Sequence, residues 1–229
     1  MNKCAPISVG YIGPMLRCPE HGTSDVALQV SSETGLHGPA SDETEFRCPL
    51  CRRRFALRAE KIFFSEPPAD VDTSHKVDPT DERHWTTWRA NNFAYLKNRL
   101  AGENPDKTLI DVGAGRSSFR ALTKGYFRNA VGVDFSPHEC VDVITAITQP
   151  LPFADQICDI IVATNVLEHI PKPELILKEC YRILKPEGYI IGTVPFLIPV
   201  HQEPYDFLRY THIMLKWMLE RAGFRQVSV

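Results

Sequence analysis

The sequence predicts an α/β domain with a parallel sheet, preceded by a small β domain at the N-terminus. Three observations lead to this prediction. A short apolar run, Thr108–Val112, is followed at once by two glycines and a helix-like segment, the pattern of a buried parallel strand that ends in a ligand-binding turn. Further apolar runs and helix-like stripes alternate downstream. Upstream, two pairs of metal-ligand residues with two-residue spacing lie between Cys18 and Cys51.

Length and composition limit the classes of protein that fit. A chain of 229 residues with 43% hydrophobic residues can form one or two domains with a sizeable core. A net charge of -2 disfavours nucleic acid as a partner. The sequence contains no apolar run of the roughly 20 residues that span a membrane, and its N-terminus lacks the apolar core of a signal peptide. A cytoplasmic location is therefore expected, and 7 cysteines then favour thiols or metal ligands over disulfides.

Residues 1–66 are predicted to form the small β domain around a metal ion. Its four candidate ligands are Cys18, His21, Cys48 and Cys51. Two intervening residues let one tight turn present two ligands to a single ion, and tetrahedral zinc takes two such turns. An ion with four protein ligands is closed to substrate, so this zinc would be structural. Two unrelated pairs without metal are the alternative.

Strands are expected on both sides of the second pair, at Phe46–Arg47 and Phe55–Leu57, with a further strand around Val26–Val30. This arrangement resembles a zinc ribbon, with His21 where a cysteine is usual. Such ribbons occur as methyltransferase activator subunits and fused in front of methyltransferase domains. The resemblance implies that the ribbon can also meet a protein partner.

Residues 67–104 are predicted to be a linker and a lead helix. The Glu66-Pro67-Pro68 stretch is a stiff, polar exit from the ribbon. Thr80 can cap a helix that carries an aromatic stripe from Asp81 to about Ala101. Packing of this stripe against the sheet is the favoured interpretation, and a cover over a bound ligand is the alternative.

Residues 105–229 are predicted to be the α/β domain, with a glycine turn after its first strand. Gly113 and Gly115 let the backbone approach a ligand closely. A helix over Ser117–Lys124 would add free N–H groups and a partial positive charge. The turn is not the dinucleotide-binding fingerprint, because Ser118 stands where that pattern has its third glycine.

Two acids mark the first two strands of this domain. Asp111 lies just before the glycine turn, and Asp134 ends the second strand, where a carboxylate can accept both hydroxyls of a ribose. Together with Gly113 and Gly115 they resemble the class I S-adenosylmethionine (SAM)-dependent methyltransferases. The resemblance implies that Asp111 and the glycines hold the methionine end, Asp134 the ribose, and Phe135 an adenine face. A Rossmann-like domain that binds another nucleotide, or none, is the alternative.

Two downstream segments make the resemblance more specific. Leu151–Asp155 reads Leu-Pro-Phe-Ala-Asp, and the run Cys158–Ile170 ends in Val-Leu-Glu-His-Ile. Both resemble the methyltransferase type 11 group, which implies a Rossmann-like class I sheet. One position departs from this group, because Ala146 stands where relatives usually carry an acid for the adenine amino group. Loss of one such hydrogen bond costs on the order of 1 kcal/mol, which would weaken SAM binding without abolishing it.

The end of the fourth strand supplies further candidates. Asn165 stands at the strand terminus, where open α/β sheets bind ligands. His169 is a candidate base near the methyl group, and a structural role for the Glu168-His169 turn is the favoured alternative. A helix over Glu174–Leu184 and a fifth strand over Tyr189–Val194 follow.

The loop of residues 195–211 is the predicted acceptor end. It resembles the His-x-x-Pro-x-Asp-Phe-x-Arg-Tyr-Thr loop of many methyltransferases in this group. His201 and Asp206 are candidate bases, because a hydroxyl or amine acceptor must lose a proton. Three side chains are candidates to hold the acceptor: Tyr205, Arg209 and Tyr210. An internal clasp in which Asp206 pairs with Arg209 is an equal alternative.

The C-terminal segment is predicted to contain a helix, His212–Ala222, closed by Gly223, and a sixth strand, Phe224–Val229. This fold normally has a seventh strand, and no residues remain for it. Either the chain is truncated or the sheet closes differently.

The sequence therefore predicts a SAM-dependent methyltransferase with a structural Zn²⁺ ribbon. The expected acceptor is a small molecule or a glycan intermediate. A non-catalytic binding or activator module is the second hypothesis. Ala146 and the missing last strand favour that module, whereas Asp134 and the glycine turn argue against it.

Overall fold

The structure is a computed structural model that describes residues 8–21, 26–31, 45–68, 86–116 and 126–229. Three features of the sequence analysis lie outside the described residues: Thr80, the predicted start of the lead helix at Asp81 and the predicted helix over Ser117–Lys124.

Nine strands and four helices form in the described ranges. The strands are β1 Gln29–Ser31, β2 Glu45–Arg47, β3 Arg54–Arg58, β4 Lys61–Phe63, β5 Thr108–Val112, β6 Asn129–Asp134, β7 Val143–Ile144, β8 Cys158–Thr164 and β9 Leu184–Thr193. The helices are α1 Val9–Ile12, α2 Thr87–Leu100, α3 Pro173–Ile183 and α4 His212–Ala222. Short 3-10 turns cover Gly13–Met15, Pro19–His21 and Leu167–His169.

All nine strands belong to one sheet, in the order β1-β2-β3-β4-β7-β6-β5-β8-β9. The last five positions are parallel, with β5 between β6 and β8. Every residue of β5 is buried, because helices or loops cover both faces of a central parallel strand. The predicted α/β fold with a parallel sheet is confirmed, and β5 has the bounds that the sequence predicts.

The small β domain continues the same sheet, which the sequence did not indicate. Strands β1 to β4 are antiparallel, and Phe46 pairs with Phe55 across β2 and β3. Strand β4 then runs parallel to β7, so that Ile62 faces Val143. The Phe64 N–H extends this pairing by donating to the Ile144 carbonyl at 2.8 Å.

Apolar packing also joins the two units. One cluster of buried side chains includes Phe46 and Phe55 from the ribbon and Ile110 and Val133 from the parallel sheet. The N-terminal segment adds polar contacts, such as a 3.0 Å hydrogen bond between the Tyr11 hydroxyl and Thr108 Oγ1. A small ribbon buries little surface alone, so this shared core stabilises it.

The helix ends follow from their capping residues. Thr211 accepts a hydrogen bond from the Met214 N–H at the start of α4, and Gly223 ends the helix with a left-handed φ of 114°. The predicted bounds of α4 are therefore confirmed. In α2 the cap is Thr86, whose side chain accepts from the Arg89 N–H.

Three predicted strands differ from the structure. The strand expected around Val26–Val30 lies later in the chain, as β1 Gln29–Ser31. Residues Phe224–Val229 form no strand, so the predicted sixth strand is wrong. The fifth strand begins earlier than expected, at Leu184, because β9 pairs with Cys158 before the register shifts at Ile160. Among the helices of the described ranges, none combines the length and the hydrophobicity that crossing a membrane requires.

Candidate functional site

The candidate site lies where β5, β6 and β8 end, because parallel strands bring their carboxyl ends to one edge of the sheet. Gly113 follows β5 with a φ of 72°, a conformation that favours glycine. A Cβ atom at this position would lie 2.4 Å from Val166 Cγ2. The chain after β8 therefore packs directly on the glycine turn, and no residue with a Cβ fits at position 113 beside Val166.

Asp134, at the end of β6, is tied to the same turn. Its Oδ2 accepts from the Gly115 N–H and its Oδ1 from the Ser136 N–H, both at 2.9 Å. The carboxyl is 5% exposed. Burial raises its pKa to about 6, although the backbone N–H groups act in the opposite direction. An acid held in this way lies beside the glycine turn, as the sequence predicts for a group that accepts ribose hydroxyls.

Asp111 and Asn165 occupy the two neighbouring strand ends. Asp111 is fully buried in β5, opposite Gly132 on one side and Val162 on the other. Asn165 follows β8 with a left-handed φ of 52°, and its Oδ1 accepts from the Thr193 hydroxyl at 3.1 Å. The amide oxygen of Asn165 thus links β8 to β9.

Phe135 brings the end of β6 to the predicted acceptor loop. Its ring lies 6.3 Å from the ring of Tyr205, at an interplanar angle of 55°. Tyr205 also accepts a hydrogen bond through its backbone carbonyl, from His169 Nδ1 at 2.6 Å. The 195–211 loop therefore spans the gap between β6 and the turn after β8.

An internal clasp shapes this loop, which is one of the two alternatives that the sequence left open. Asp206 accepts from Arg209 Nη1 at 2.6 Å and Nη2 at 2.8 Å, and from the His201 N–H at 2.7 Å. The hydrogen bonds from Arg209 hold the pKa of Asp206 well below its usual range. Arg209 also donates to the Ile198 and Pro199 carbonyls. Asp206 and Arg209 are thus engaged with the loop itself.

A histidine of this loop, His201, meets a histidine of the turn after β8, His169. The rings of His169 and His201 lie 5.1 Å apart in an edge-to-face arrangement. Burial lowers the pKa of His169, which favours the neutral imidazole. Glu168 lies beside them with a fully buried side chain, and burial raises its pKa to about 7. Tyr210 supports the turn by donating its hydroxyl to the Leu167 carbonyl at 2.8 Å.

Glu168 is the site residue that the sequence analysis left without a chemical role. Glu168 lies inside the apolar run Val166–Ile170, where an acid is unusual. This position in the sequence could have marked it as a candidate functional residue. The sequence did not show that its carboxylate lies beside His169 and His201, because this contact needs the fold of the 195–211 loop.

The four ribbon residues form a second cluster. Cys18 Sγ and Cys51 Sγ are 3.8 Å apart, and Cys48 Sγ lies 3.7 Å from His21 Nδ1. A tetrahedral zinc with Zn–S bonds of about 2.3 Å separates two sulfurs by about 3.8 Å. All three cysteines are free of disulfides, and the ligand atoms lie within 4.8 Å of one another. The donor set and its spacing fit zinc.

Comparisons with known proteins match part of the chain. Residues 110–192 match the family model described as a methyltransferase domain. An uncharacterized methyltransferase of Mycobacterium tuberculosis strain H37Rv is 32% identical over 96 residues, which cover 37% of this chain and 38% of that protein. A relative of the same description from Mycobacterium marinum is 33% identical over 100 residues, with 37% and 38% covered. The chain thus spans 38% of the length of these curated relatives.

A crystal structure from Bacillus halodurans C-125, of a protein assigned as a methyltransferase, has the same fold. The superposition of the two structures has a TM-score of 0.50 at 20% sequence identity, and it covers 58% of this chain and 69% of that chain. This likeness supports the architecture of the parallel sheet.

Proposed function

We propose that this chain, whose residues 110–192 match the family model of a methyltransferase domain, moves the methyl group of SAM to an acceptor molecule. One observation carries the proposal: His201 of the 195–211 loop meets His169 of the turn after β8, at the edge of the sheet that also carries the glycine turn and Asp134. The contact between Phe135 and Tyr205 connects the end of β6 to the 195–211 loop. Bound SAM would supply an electrophilic methyl group, so the work of the protein is binding, orientation and exclusion of water.

The strand ends fit SAM in three respects. A left-handed turn at Gly113 and Gly115 lets the methionine end approach the backbone. Asp134 offers two carboxylate oxygens for the ribose hydroxyls and is fixed by two backbone N–H groups. Asp111 is proposed for the amino group of the methionine end, because a buried carboxylate is suited to a cation.

Phe135 and Asn165 complete the proposed cofactor site. The Phe135 ring is suited to an adenine face, and its contact with Tyr205 holds it at the end of β6. Asn165 is assigned to the floor of the site, because its side chain accepts from Thr193 and so fixes the turn after β8.

The acceptor is proposed to meet His201 and His169. Methylation of a hydroxyl or an amine releases a proton, and the lone pair of a neutral imidazole can accept this proton. We assign Asp206 to the positioning of His201, because Asp206 is already paired with Arg209 and accepts from the His201 backbone.

Of the three residues proposed to hold the acceptor, Tyr205 is suited to direct contact. Its side chain is 37% exposed and lies beside Phe135. Arg209 and Tyr210 act on the acceptor through the loop, because their polar groups bind loop and turn carbonyls. A small molecule or a glycan intermediate is the proposed acceptor class, since the net charge of -2 gives no broad positive field for nucleic acid.

The ribbon is proposed to hold one structural Zn²⁺ through Cys18, His21, Cys48 and Cys51. Burial acts to raise the pKa of Cys48, but the N–H groups of Cys51 and Leu50 outweigh it and lower the pKa to about 7, which favours the thiolate that binds metal. The resemblance to activator ribbons also supports a protein partner at this end of the chain.

Calorimetric titration with S-adenosylhomocysteine (SAH) tests the proposed function. We expect micromolar binding by the wild type and none that is detectable by Asp134→Ala. Asp106→Ala is the matched control, because this carboxylate is on the surface and pairs only with Arg128 among the contacts described. Absence of SAH binding by the folded wild type would overturn the proposal and favour the non-catalytic module, as would equal affinities of the two variants.

A further inference from the structure

Three side chains of the acceptor end form a cluster with the composition of a metal site. Glu168, His169 and His201 each offer one ligand atom, and these atoms lie within 4.8 Å of one another. We propose that Glu168, His169 and His201 bind a divalent transition-metal cation, separate from the zinc of the ribbon. The geometry of each ligand supports this assignment independently.

Glu168 supplies a buried carboxylate. Its side chain is fully buried, and neither carboxylate oxygen has a hydrogen-bond partner among the described residues. Glu168 Oε1 lies 3.6 Å from His169 Nε2. A buried carboxylate without a donor is costly, so its oxygens need a proton or a cation. A cation at this position would satisfy them.

His169 is oriented as a metal ligand. Its Nδ1 lies 2.6 Å from the Tyr205 carbonyl, which can only accept a hydrogen bond, so Nδ1 carries the proton. The lone pair is then on Nε2, which is buried and has no hydrogen-bond partner in the described part of the chain. Histidines that bind metals usually donate their other ring N–H to a carbonyl or a carboxylate, as His169 does here.

His201 has a comparable arrangement. Its Nδ1 lies 3.2 Å from Asp206 Oδ2 and 3.3 Å from the Pro199 carbonyl, and both are acceptors. Arg209 Nη2, which is a donor, lies at a similar distance of 3.4 Å. We assign the proton to Nδ1, which has the two acceptors, and this leaves the lone pair on Nε2. The charge of Arg209 does not repel the cation strongly, because Asp206 pairs with it at 2.6 and 2.8 Å.

The donor set indicates which cations fit. Two imidazoles and one carboxylate suit Mn²⁺, Fe²⁺, Co²⁺, Ni²⁺ or Zn²⁺, whereas Mg²⁺ and Ca²⁺ favour sites made of oxygens. Three protein ligands also leave coordination positions open for another molecule. The ribbon cluster, in contrast, has four protein ligands and is closed.

This site gives the proposed function a substrate class, and that step rests on the proposed function. An acceptor hydroxyl bound to the cation would have a lowered pKa and would release its proton to water. The oxygen would then form a bond to the methyl carbon as the sulfonium S–C bond breaks, leaving SAH. The acceptor is thus a hydroxyl-bearing molecule that can bind a cation. With the cation bound, the imidazole lone pairs coordinate it, so water replaces the histidines as the group that accepts the proton.

Titration with Co²⁺ tests the metal site without SAM. Chain that already carries one zinc per molecule is titrated by calorimetry, and bound cobalt is counted by mass spectrometry after dialysis. We expect the wild type to bind one cobalt. Glu168→Gln and His201→Ala should each bind it at least about tenfold more weakly. Matched controls are Glu174→Gln and His212→Ala, which change exposed residues outside the cluster and should bind cobalt like the wild type.

Asp206→Asn is a further variant, because it changes the orientation of His201 and not a ligand. We expect cobalt affinity about 10- to 100-fold lower in this variant, in the range for groups that orient a metal-binding histidine. SAH affinity, measured on each variant, reports whether it is folded. Wild-type chain that binds SAH but no cobalt would overturn the metal site and leave the proposed function standing. Equal cobalt binding by Glu168→Gln, His201→Ala and the wild type would also overturn it. Cobalt binding without SAH binding would support the site and refute the proposed function.

Discussion

A methyl group added at Gly113 tests whether the glycine turn is built as described. The new Cβ of Gly113→Ala would lie 2.4 Å from Val166 Cγ2 and 2.8 Å from Val166 Cβ. Val166 is 5% exposed, and the chain beside it is fixed, because the Asn165 N–H donates to the Thr193 carbonyl at 2.8 Å. Neither partner can move without disturbing the sheet.

The expected loss in the free energy of unfolding of Gly113→Ala is the sum of two costs. Alanine at a φ of 72° is less favourable than glycine by about 1 kcal/mol. Overpacking of a closely packed position adds about 1–3 kcal/mol. The free energy of unfolding should therefore fall by about 2–4 kcal/mol in Gly113→Ala. Gly115→Ala is the matched control, because its φ is 50° and a Cβ there would meet no atom closer than 3.9 Å.

Urea unfolding followed by circular dichroism measures both variants, and SAH titration follows on the folded fraction. We expect a loss of only about 1 kcal/mol for Gly115→Ala. Equal losses in the two variants would contradict the described packing, because the contact with Val166 would then contribute nothing. A stable Gly113→Ala that binds SAH normally would refute it as well.

Three further predictions follow from the contacts described. SAH binding should weaken as the pH falls through about 6, because the pKa of Asp134 is raised to that value and the ionised form accepts the ribose hydroxyls. Calorimetry at pH 5 should give about tenfold lower affinity than at pH 7. An affinity that does not change with pH would contradict this prediction. Cys48→Ser should reduce the zinc content to well under one per chain, as measured by mass spectrometry, and unchanged content would exclude the ribbon site. Tyr11→Phe should lower the free energy of unfolding by about 1 kcal/mol in urea, since Thr108 loses its hydrogen bond; Tyr95→Phe, at an exposed position, serves as the control.

The sequence predicted the parts of the fold that a few consecutive residues determine. Strand β5 is a short apolar run that ends at glycine, and α4 has Thr211 and Gly223 at its ends. Such features depend on backbone preferences and on the burial of a few consecutive residues, so the sequence carries them directly.

Contacts between distant segments were not accessible from the sequence. The pairing of β4 with β7 joins Ile62 to Val143, and two apolar strands do not reveal which partner each will choose. The fold of the loop likewise decides that Asp206 pairs with Arg209 and that His201 meets His169. The sequence indicated candidate residues for the site but not which of them contact one another.

A crystal structure of the chain with SAH bound is the decisive test of the proposed cofactor site. We expect the ribose hydroxyls to lie within hydrogen-bond distance of Asp134 and the methionine end to follow the turn at Gly113. The sulfur should face the space beside His169 and His201. SAH bound at another part of the surface, or with its sulfur directed away from both histidines, would overturn the proposed site.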